Sequence, residues 1–289
     1  MSWNAPQKIE RGSMSIPRVD EFVFRGLRIT LNNDGVQLDQ HKWLAQELQR
    51  RGLSQVSGSP SLPSLDDAPQ EPAEKNELYK EQLRACQSDI GSLMWAAMRA
   101  RPDIQALVSM CACLCVICPA YVLQKLKAVW KYARKTLWLS LQYVGSRSTV
   151  ITSYSDCSFA AQGSRSRTGV VLKIGVDIVS WRSVRQELTA WPDALHLKNV
   201  VDQLTGLKHS IEMVCDNSSA VTLIAGPTFN RVTWRTRHFA LRASWIRDQI
   251  ATQPVTIRHE AGETLVADAL TKVLARTRLQ YMRELMRLR

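Results

Sequence analysis

The sequence predicts an α/β protein, with a mostly helical first half and a mixed β-sheet flanked by helices in the second half. Apolar residues recur at helical spacing over roughly residues 76–135. Strand-like runs begin at about residue 150 and then alternate with helical segments. Their order, β-β-β-α-β-α-α-β-α, implies a mixed sheet with helices on its faces.

Residues 1–53 form a short N-terminal unit in this prediction. It combines a strand-like run from Glu21 to Thr30, a turn at residues 33–35, and a helix from about Gln40 to Arg51. Residues 54–76 follow as a linker, because Ser, Pro, Gly, Asp and Glu dominate them and neither a helix nor a strand period is present.

Residues 77–148 are predicted to be a helical region. One helix covers Asn76 to Arg99, a second ends near Pro119, and a third covers Tyr121 to Lys135. The break between the first two falls at Arg101-Pro102-Asp103, since proline disfavours helix in the residue before it.

Ile104 to Gln124 carries no charged residue. This is close to the ~20 residues that a membrane span needs. Gln105 and the late Pro119 favour two buried helices instead, and a membrane span is the minor alternative. The four cysteines within 111–118 are interpreted as core packing rather than a zinc site, since tetrahedral zinc usually takes two separated ligand pairs.

The mixed sheet is assigned to residues 149–275, and residues 276–289 to a frayed basic helix. The predicted strands are Val150 to Asp156, Thr168 to Ile174, Val176 to Ser183, Ser210 to Cys215 and Val255 to His259. The predicted helices are Pro192 to Leu207, Ser218 to Ala225, Arg235 to Ile250 and Thr264 to Leu274.

The net charge of +12 favours a polyanionic partner, because neutralising phosphates releases counterions. A basic, soluble surface explains the same number equally well. Residues 1–12 lack the apolar core of a signal peptide, and closely spaced cysteines do not suit a disulfide framework. These features predict a cytoplasmic or nuclear protein with reduced thiols.

Three aspartates stand out, two of them at the ends of predicted strands and the third within a predicted helix. They are Asp156, Asp216 and Asp268. Each could be an ordinary turn or helix-cap aspartate.

Short motifs around these residues, in order, resemble the Pol polyprotein of copia-type LTR retrotransposons. The resemblance covers about Phe22 to Leu279 and joins the end of a reverse transcriptase to a ribonuclease H domain. The motifs are Phe24-Arg25-Gly26-Leu27, Gly91-Ser92-Leu93, Arg101-Pro102-Asp103-Ile104, Tyr154-Ser155-Asp156, Arg167-Thr168-Gly169, Ser180-Trp181-Arg182-Ser183, Cys215-Asp216-Asn217, Arg235-Thr236-Arg237-His238 and Ala267-Asp268-Ala269-Leu270-Thr271-Lys272.

The resemblance implies a ribonuclease H-like sheet preceded by a helical remnant of the reverse transcriptase thumb and connection region. It also implies hydrolysis of the RNA strand of an RNA–DNA hybrid by two Mg²⁺ ions. Asp156 would bridge both ions, while Asp216 and Asp268 would each bind one. Asn217, Arg235, Arg237 and His238 would contact nucleic acid. His259 would assist proton transfer, although an exposed loop histidine is the favoured interpretation.

The sequence departs from this family in two respects. It contains no Tyr-x-Asp-Asp polymerase motif, since its only adjacent aspartates, Asp66 and Asp67, lie in the linker. The glutamate that the family places on the first ribonuclease H helix is also missing. Asp193 and Glu187 are the candidate replacements, and both are disfavoured because metal geometry tolerates little displacement. The sequence therefore predicts impaired cleavage, with a non-catalytic nucleic-acid-binding relic as the alternative.

Overall fold

The computed structural model describes residues 20–69, 71–158, 166–185, 191–225 and 237–289. The side chains of residues 191, 192, 223 and 237–243 lie outside this description. Within it, the chain forms two β-sheets with helices packed around them. The α/β class predicted from the sequence is confirmed.

The first sheet has four antiparallel strands in the order β1-β2-β3-β4. The single strand expected over 21–30 is instead a hairpin, because Arg25 and Gly26 both adopt positive φ angles and reverse the chain. The fourth strand lies within residues 77–148, which were predicted to be helical, and it was not predicted because three residues show no periodicity. The strands are β1 Asp20–Phe24, β2 Leu27–Asn32, β3 Gly35–Asp39 and β4 Leu141–Tyr143.

Four helices of this half pack against one another. They are α1 His41–Arg50, α2 Glu77–Ala97, α3 Pro102–Leu114 and α4 Pro119–Lys135. The side chain of Asn76 caps α2 by accepting from the Tyr79 amide at 2.9 Å. Proline opens both α3 and α4, where its missing N–H has no intrahelical partner to lose.

The uncharged stretch from Ile104 to Gln124 lies in the core between these helices. Ile104, Val108 and Val122 are fully buried, in one cluster with Trp130. Cys111, Cys115 and Cys118 belong to the same cluster, in agreement with a packing role. No helix in the described part of the chain is long and apolar enough to cross a membrane.

A buried ion pair joins α3 to α4. The Arg101 guanidinium donates to both oxygens of Asp103 at 2.9 and 2.8 Å, and Tyr132 donates to Asp103 at 2.7 Å. Arg101 also donates to the Thr136 hydroxyl at 2.7 Å. Both charged groups are almost fully buried. The Arg-Pro-Asp motif thus starts α3 and ties its first turn to the end of α4.

The second sheet has the strand order β7-β6-β5-β8-β9. The first three strands are antiparallel to one another, and β8 and β9 add parallel to β5. This is the mixed sheet that the sequence predicted. The strands are β5 Val150–Ser158, β6 Arg167–Ile174, β7 Asp177–Arg185, β8 Ser210–Cys215 and β9 Val255–His259, and the helices of this half are α5 Trp191–Thr205, α6 Ser218–Ala225, α7 Arg237–Thr252 and α8 Arg276–Leu285.

Successive side chains of a strand point to opposite faces of the sheet, so this sheet builds two separate cores. One face carries Val171 and Val214 against a short 3₁₀ helix, Val266–Leu270, and α8. The other face carries Val170 and Ile211 against α5. A full α-helix over 264–274 was expected, but the described backbone has only this 3₁₀ helix.

The C-terminal segment forms the helix that the sequence suggested, but this helix is packed into the core rather than frayed. Met282 and Met286 are fully buried in the core under the second sheet. The chain then pairs with the segment before β4, where Arg289 and Ser140 exchange backbone hydrogen bonds of 3.0 and 2.7 Å. Alternating apolar residues anchor this segment, while its arginines stay near the surface.

Candidate functional site

Asp156 and Asp216 lie side by side at the ends of the two central parallel strands. Ser155 of β5 pairs with Cys215 of β8, so the residues that follow them are neighbours. The prediction that both acids occupy neighbouring strand ends is confirmed. Asp156 is buried, whereas Asp216 is exposed just past its strand. Their side chains share the face of the sheet that carries Val214 and the 3₁₀ helix.

The 3₁₀ helix brings Asp268 to the same place. The hydroxyl of Thr271, the residue directly after it, donates a hydrogen bond to Oδ2 of Asp156. Close approach of this segment to the sheet depends on Gly169 of β6, which pairs with Asp156. A Cβ on Gly169 would stand 2.7 Å from the Ala267 carbonyl oxygen and 2.9 Å from Thr271 Cγ2. The Arg167-Thr168-Gly169 motif is therefore a packing requirement of this site.

Two cations lie among the three carboxylates. The Lys272 ammonium donates to Oδ1 of Asp268 and is 3.8 Å from Oδ2 of Asp156. The Arg278 guanidinium from α8 is 3.7 Å from Oδ2 of Asp268 and also donates to the Gly262 carbonyl at 2.7 Å. Sequence reasoning missed both roles. Lys272 was visible in the motif that carries Asp268, but nothing in the sequence marks Arg278.

The pKa of Asp156 is raised above its ordinary value, because its burial and its negative neighbours outweigh the nearby cation. Burial raises the pKa of its carboxyl, and the negative charges of Asp216 and Asp268 raise it further. The hydrogen bond from Thr271 and the charge of Lys272 oppose this increase without cancelling it. Burial by itself lowers the pKa of Lys272, but Asp268 and Asp156 raise it overall. The ammonium is therefore charged at neutral pH and acts as a counterion of the acids.

His259 contributes to this edge of the sheet rather than to a free loop. It is the last residue of β9, and its Nε2 is 3.0 Å from the backbone oxygen of Asp216. The interpretation as an ordinary loop histidine is therefore wrong in its placement. The ring is exposed and adjoins the carboxylate edge.

Asn217 has a structural partner in the described chain. Its side-chain oxygen accepts from the amide of Ala220 at 2.9 Å and so caps the start of α6. Of the other residues expected to contact nucleic acid, Arg235 lies outside the described residues. Arg237 and His238 open α7, but their side chains lie outside the described set.

Helix α5 is the helix on which the family places its missing glutamate, and the described carboxylates of α5 face away from this site. Helix α5 packs on the opposite face of the sheet, and Asp193 in its first turn forms an ion pair with Arg182 at 2.5 Å. Asp202, near its end, accepts from Lys198 and from His209 at 2.7 Å each. Glu187, the other candidate replacement, lies outside the described residues.

Carboxylate oxygens are the donors that Mg²⁺ prefers. Among the residues that the structure describes, however, no group of three His, Cys, Asp or Glu side chains is arranged to hold a metal ion. The Lys272 ammonium lies between two of the expected ligands. In the arrangement observed, protein cations offset part of the charge of the acids.

Three acids at one edge of a five-stranded mixed sheet with this order define a ribonuclease H-like protein. No protein-family model matches the chain. The chain is 25% identical over 214 residues to the retrovirus-related Pol polyprotein of transposon TNT 1-94 of Nicotiana tabacum, covering 68% of this chain and 16% of that protein. It is 23% identical over 278 residues to the Pol polyprotein of transposon RE1 of Arabidopsis thaliana, covering 89% of this chain and 18% of that protein.

The chain is similar to retrotransposon Pol polyproteins and spans less than a fifth of the length of these two relatives. It is also 30% identical over 106 residues to secreted RxLR effector protein 161 of Plasmopara viticola, covering 36% of this chain and 74% of that protein. The family resemblance inferred from the motifs is thereby confirmed.

Two solved structures align with the fold. LC11-RNase H1 in complex with RNA/DNA hybrid aligns with 42% of this chain and 91% of its own, at 17% identity and a TM-score of 0.29. The foamy viral protease-reverse transcriptase in complex with dsDNA aligns with 84% of this chain and 45% of its own, at 13% identity and a TM-score of 0.40.

Proposed function

We propose that this chain is a ribonuclease H-like protein that binds RNA–DNA hybrids and cleaves their RNA strand poorly or not at all. Its descent is that of a Pol polyprotein, whose ribonuclease H domain would degrade RNA in hybrids. The observation that carries the proposal is that α5, with Asp193 in its first turn, packs on the face of the sheet opposite Asp156, so its described side chains supply no fourth carboxylate to the site.

Charge counting supports impaired cleavage. Two divalent ions bring four positive charges, which four carboxylates would balance. Three acids remain here, and Lys272 and Arg278 already offset part of their charge. Asp193, the described acid nearest in sequence to the missing glutamate, is held by Arg182 on the other face of the sheet. A metal ion would have to displace Lys272 before the acids could bind it.

The basic surface supports binding. The chain carries a net charge of +12, and phosphate neutralisation by Lys and Arg side chains produces affinity without sequence preference. Since this term does not require the carboxylates, binding is expected to persist when cleavage is lost.

The test measures binding and cleavage on one substrate. Fluorescence anisotropy with a short labelled RNA–DNA hybrid should give a Kd that rises steeply between about 50 and 200 mM KCl. Gel analysis of the same hybrid in Mg²⁺ or Mn²⁺ should show little or no RNA cleavage. Asp216→Asn is the matched control, and it should leave both results unchanged. Robust cleavage by the wild type that Asp216→Asn abolishes would contradict an impaired site.

Arg235 and Arg237 provide the second test. Replacing both with alanine should weaken hybrid binding and lower the salt slope by about one unit for each phosphate that is no longer neutralised. Lys80→Ala is the control, because Lys80 is a surface cation paired with Glu77 on α2. An equal effect of Lys80→Ala would show that binding depends on overall charge rather than on the start of α7.

A further inference from the structure

The seven cysteines of this chain are free thiols, and four of them lie in the core of the helical half. Burial raises the pKa of these four thiols, to about 12 for Cys86 and Cys111. A cysteine reacts as its thiolate, so the four buried thiols are poor nucleophiles. Cys113, Cys157 and Cys215 are at least partly exposed and are the candidates for modification.

Two guanidinium groups converge on the sulfur of Cys113, which lies one residue before the end of α3. Arg185, the last residue of β7, donates from Nε to the sulfur at 3.1 Å. Arg167, the first residue of β6, donates to the same sulfur at 3.7 Å. The two arginines are paired across β6 and β7, so the strand register places both charges beside α3.

The charge of Arg167 has no acid to balance it. Its side chain is buried, and its other contacts are the hydroxyls of Ser109 at 2.7 Å and Ser183 at 3.1 Å. In the described parts of the chain, no carboxylate forms an ion pair with Arg167 or Arg185. Burial lowers the pKa of Arg167 and the charge of Arg185 lowers it further, while Cys113 acts in the opposite direction. A buried cation without an acid is costly, so an anion formed at Cys113 would be stabilised here.

Cys157 and Cys215 lie in the opposite electrostatic environment. Each directly adjoins an acid of the candidate site, since Cys157 follows Asp156 and Cys215 precedes Asp216. A negative neighbour disfavours the thiolate, whereas two cations favour it. Exposure alone would make Cys157 the most reactive thiol, so exposure and charge predict different residues.

We propose that Cys113 is a site of oxidation by hydroperoxides, with the two arginines holding the anionic forms of its sulfur. The thiolate attacks one oxygen of hydrogen peroxide, so that an S–O bond forms while the O–O bond breaks. The hydroxide that leaves takes a proton from solvent and becomes water. The sulfur is oxidised by two electrons to a sulfenic acid, and the peroxide is reduced. This inference is independent of the proposed nucleic-acid binding.

Dimedone labelling tests the selectivity among the seven thiols. The reduced full chain is treated with hydrogen peroxide in the presence of dimedone, which traps sulfenic acids, and peptide mass spectrometry measures the adduct at each cysteine. The adduct at Cys113 should form roughly tenfold faster than the adduct at Cys157, because opposite neighbouring charges change the thiolate population. Equal or faster labelling of Cys157, or no adduct at Cys113, would overturn the proposal.

Substitutions at Arg185 test the role of the charge. Arg185→Gln keeps a side chain that can donate to the sulfur but removes the charge, so labelling of Cys113 should slow several-fold. Arg185→Lys should retain most of the wild-type rate, because it restores the charge with a different shape. Arg182→Gln is the matched control, since Arg182 lies on the same strand and pairs with Asp193 on the other face of the sheet.

Circular dichroism of each variant checks that it is folded. A wild-type labelling rate at Cys113 in Arg185→Gln would show that the guanidinium charge does not act on the thiol. An equal loss of labelling in Arg182→Gln would attribute the effect to the overall charge of the protein. Either result would overturn the proposal. The labelling is done without nucleic acid, so its outcome and that of the hybrid-binding experiment are separate.

Discussion

The cluster around Arg101 and the cluster around Asp156 contain similar side chains, but their charges are balanced differently. Asp103 faces one arginine through two hydrogen bonds and accepts a third from Tyr132. Burial raises the pKa of Asp103, yet the charge and hydrogen bonds of Arg101 hold it below its ordinary value. Asp156 shares Lys272 with Asp268, and its pKa is raised.

The two clusters differ in how completely their charges are compensated by neighbouring side chains. A closed acid–base pair is satisfied by its own neighbours and holds two helices together. Three acids at one edge repel one another and keep unfavourable energy in the folded state, which is typical of sites selected for chemistry rather than stability. The helical region therefore owes its charges to packing, whereas the second sheet retains a cluster that packing alone does not explain.

The largest effect is expected at the buried ion pair of Arg101 and Asp103. Asp103→Ala leaves the Arg101 guanidinium buried without its counterion, which should lower the free energy of unfolding by about 3–5 kcal/mol. Urea unfolding followed by circular dichroism measures this loss. The control is Glu77→Gln, which breaks an exposed ion pair with Lys80 and should change stability little. Equal effects of the two variants would remove the distinction between a buried pair and a surface pair.

A smaller effect is expected where the 3₁₀ helix rests on the sheet. Gly169→Ala places a methyl group 2.7 Å from the Ala267 carbonyl, so the segment that carries Asp268 must move. Overpacking of this kind costs roughly 1–3 kcal/mol. Gly91→Ala is the matched control, because its added Cβ meets no atom within 4 Å and alanine favours the helix. If the two variants were equally stable, the close contact at Gly169 would be absent in solution.

The smallest effect is expected at Asp156. Its substitution should raise the free energy of unfolding, whereas the two substitutions above lower it. Because Asp156 has a raised pKa, it binds a proton more readily in the folded state, so its contribution to stability falls as pH rises above its ordinary value of 3.8. Asp156→Asn should therefore unfold at a higher urea concentration than the wild type at neutral pH. This gain should disappear as the pH falls below 3.8.

Asp193→Asn is the control for this pH series, since it removes an acid whose partner is Arg182. It should lose a little stability at neutral pH, in the range of surface ion pairs. A loss of stability in Asp156→Asn at neutral pH would mean that Thr271 and Lys272 satisfy Asp156 completely.

Several short elements of the second half were predicted with their observed bounds. They are strands β8 and β9, which have alternating or partly buried residues, and helix α6, which begins just after the Asn217 cap. Strand β4 and the docking of the C-terminal helix were not anticipated. The first is too short to show a period, and the second is anchored by contacts with residues that are distant in the sequence.

The sequence by itself determined the family, the mixed sheet and the identity of the three acids, because motif order and hydrophobic periodicity are properties of the chain alone. Tertiary structure decided how those acids are balanced. Lys272 lies four residues after Asp268 and pairs with it, and the packing of α8 places Arg278 beside the same acid. Asp193 is paired with Arg182 on the opposite face of the sheet. Charge neutralisation depends on distances in space, which no spacing along the sequence specifies.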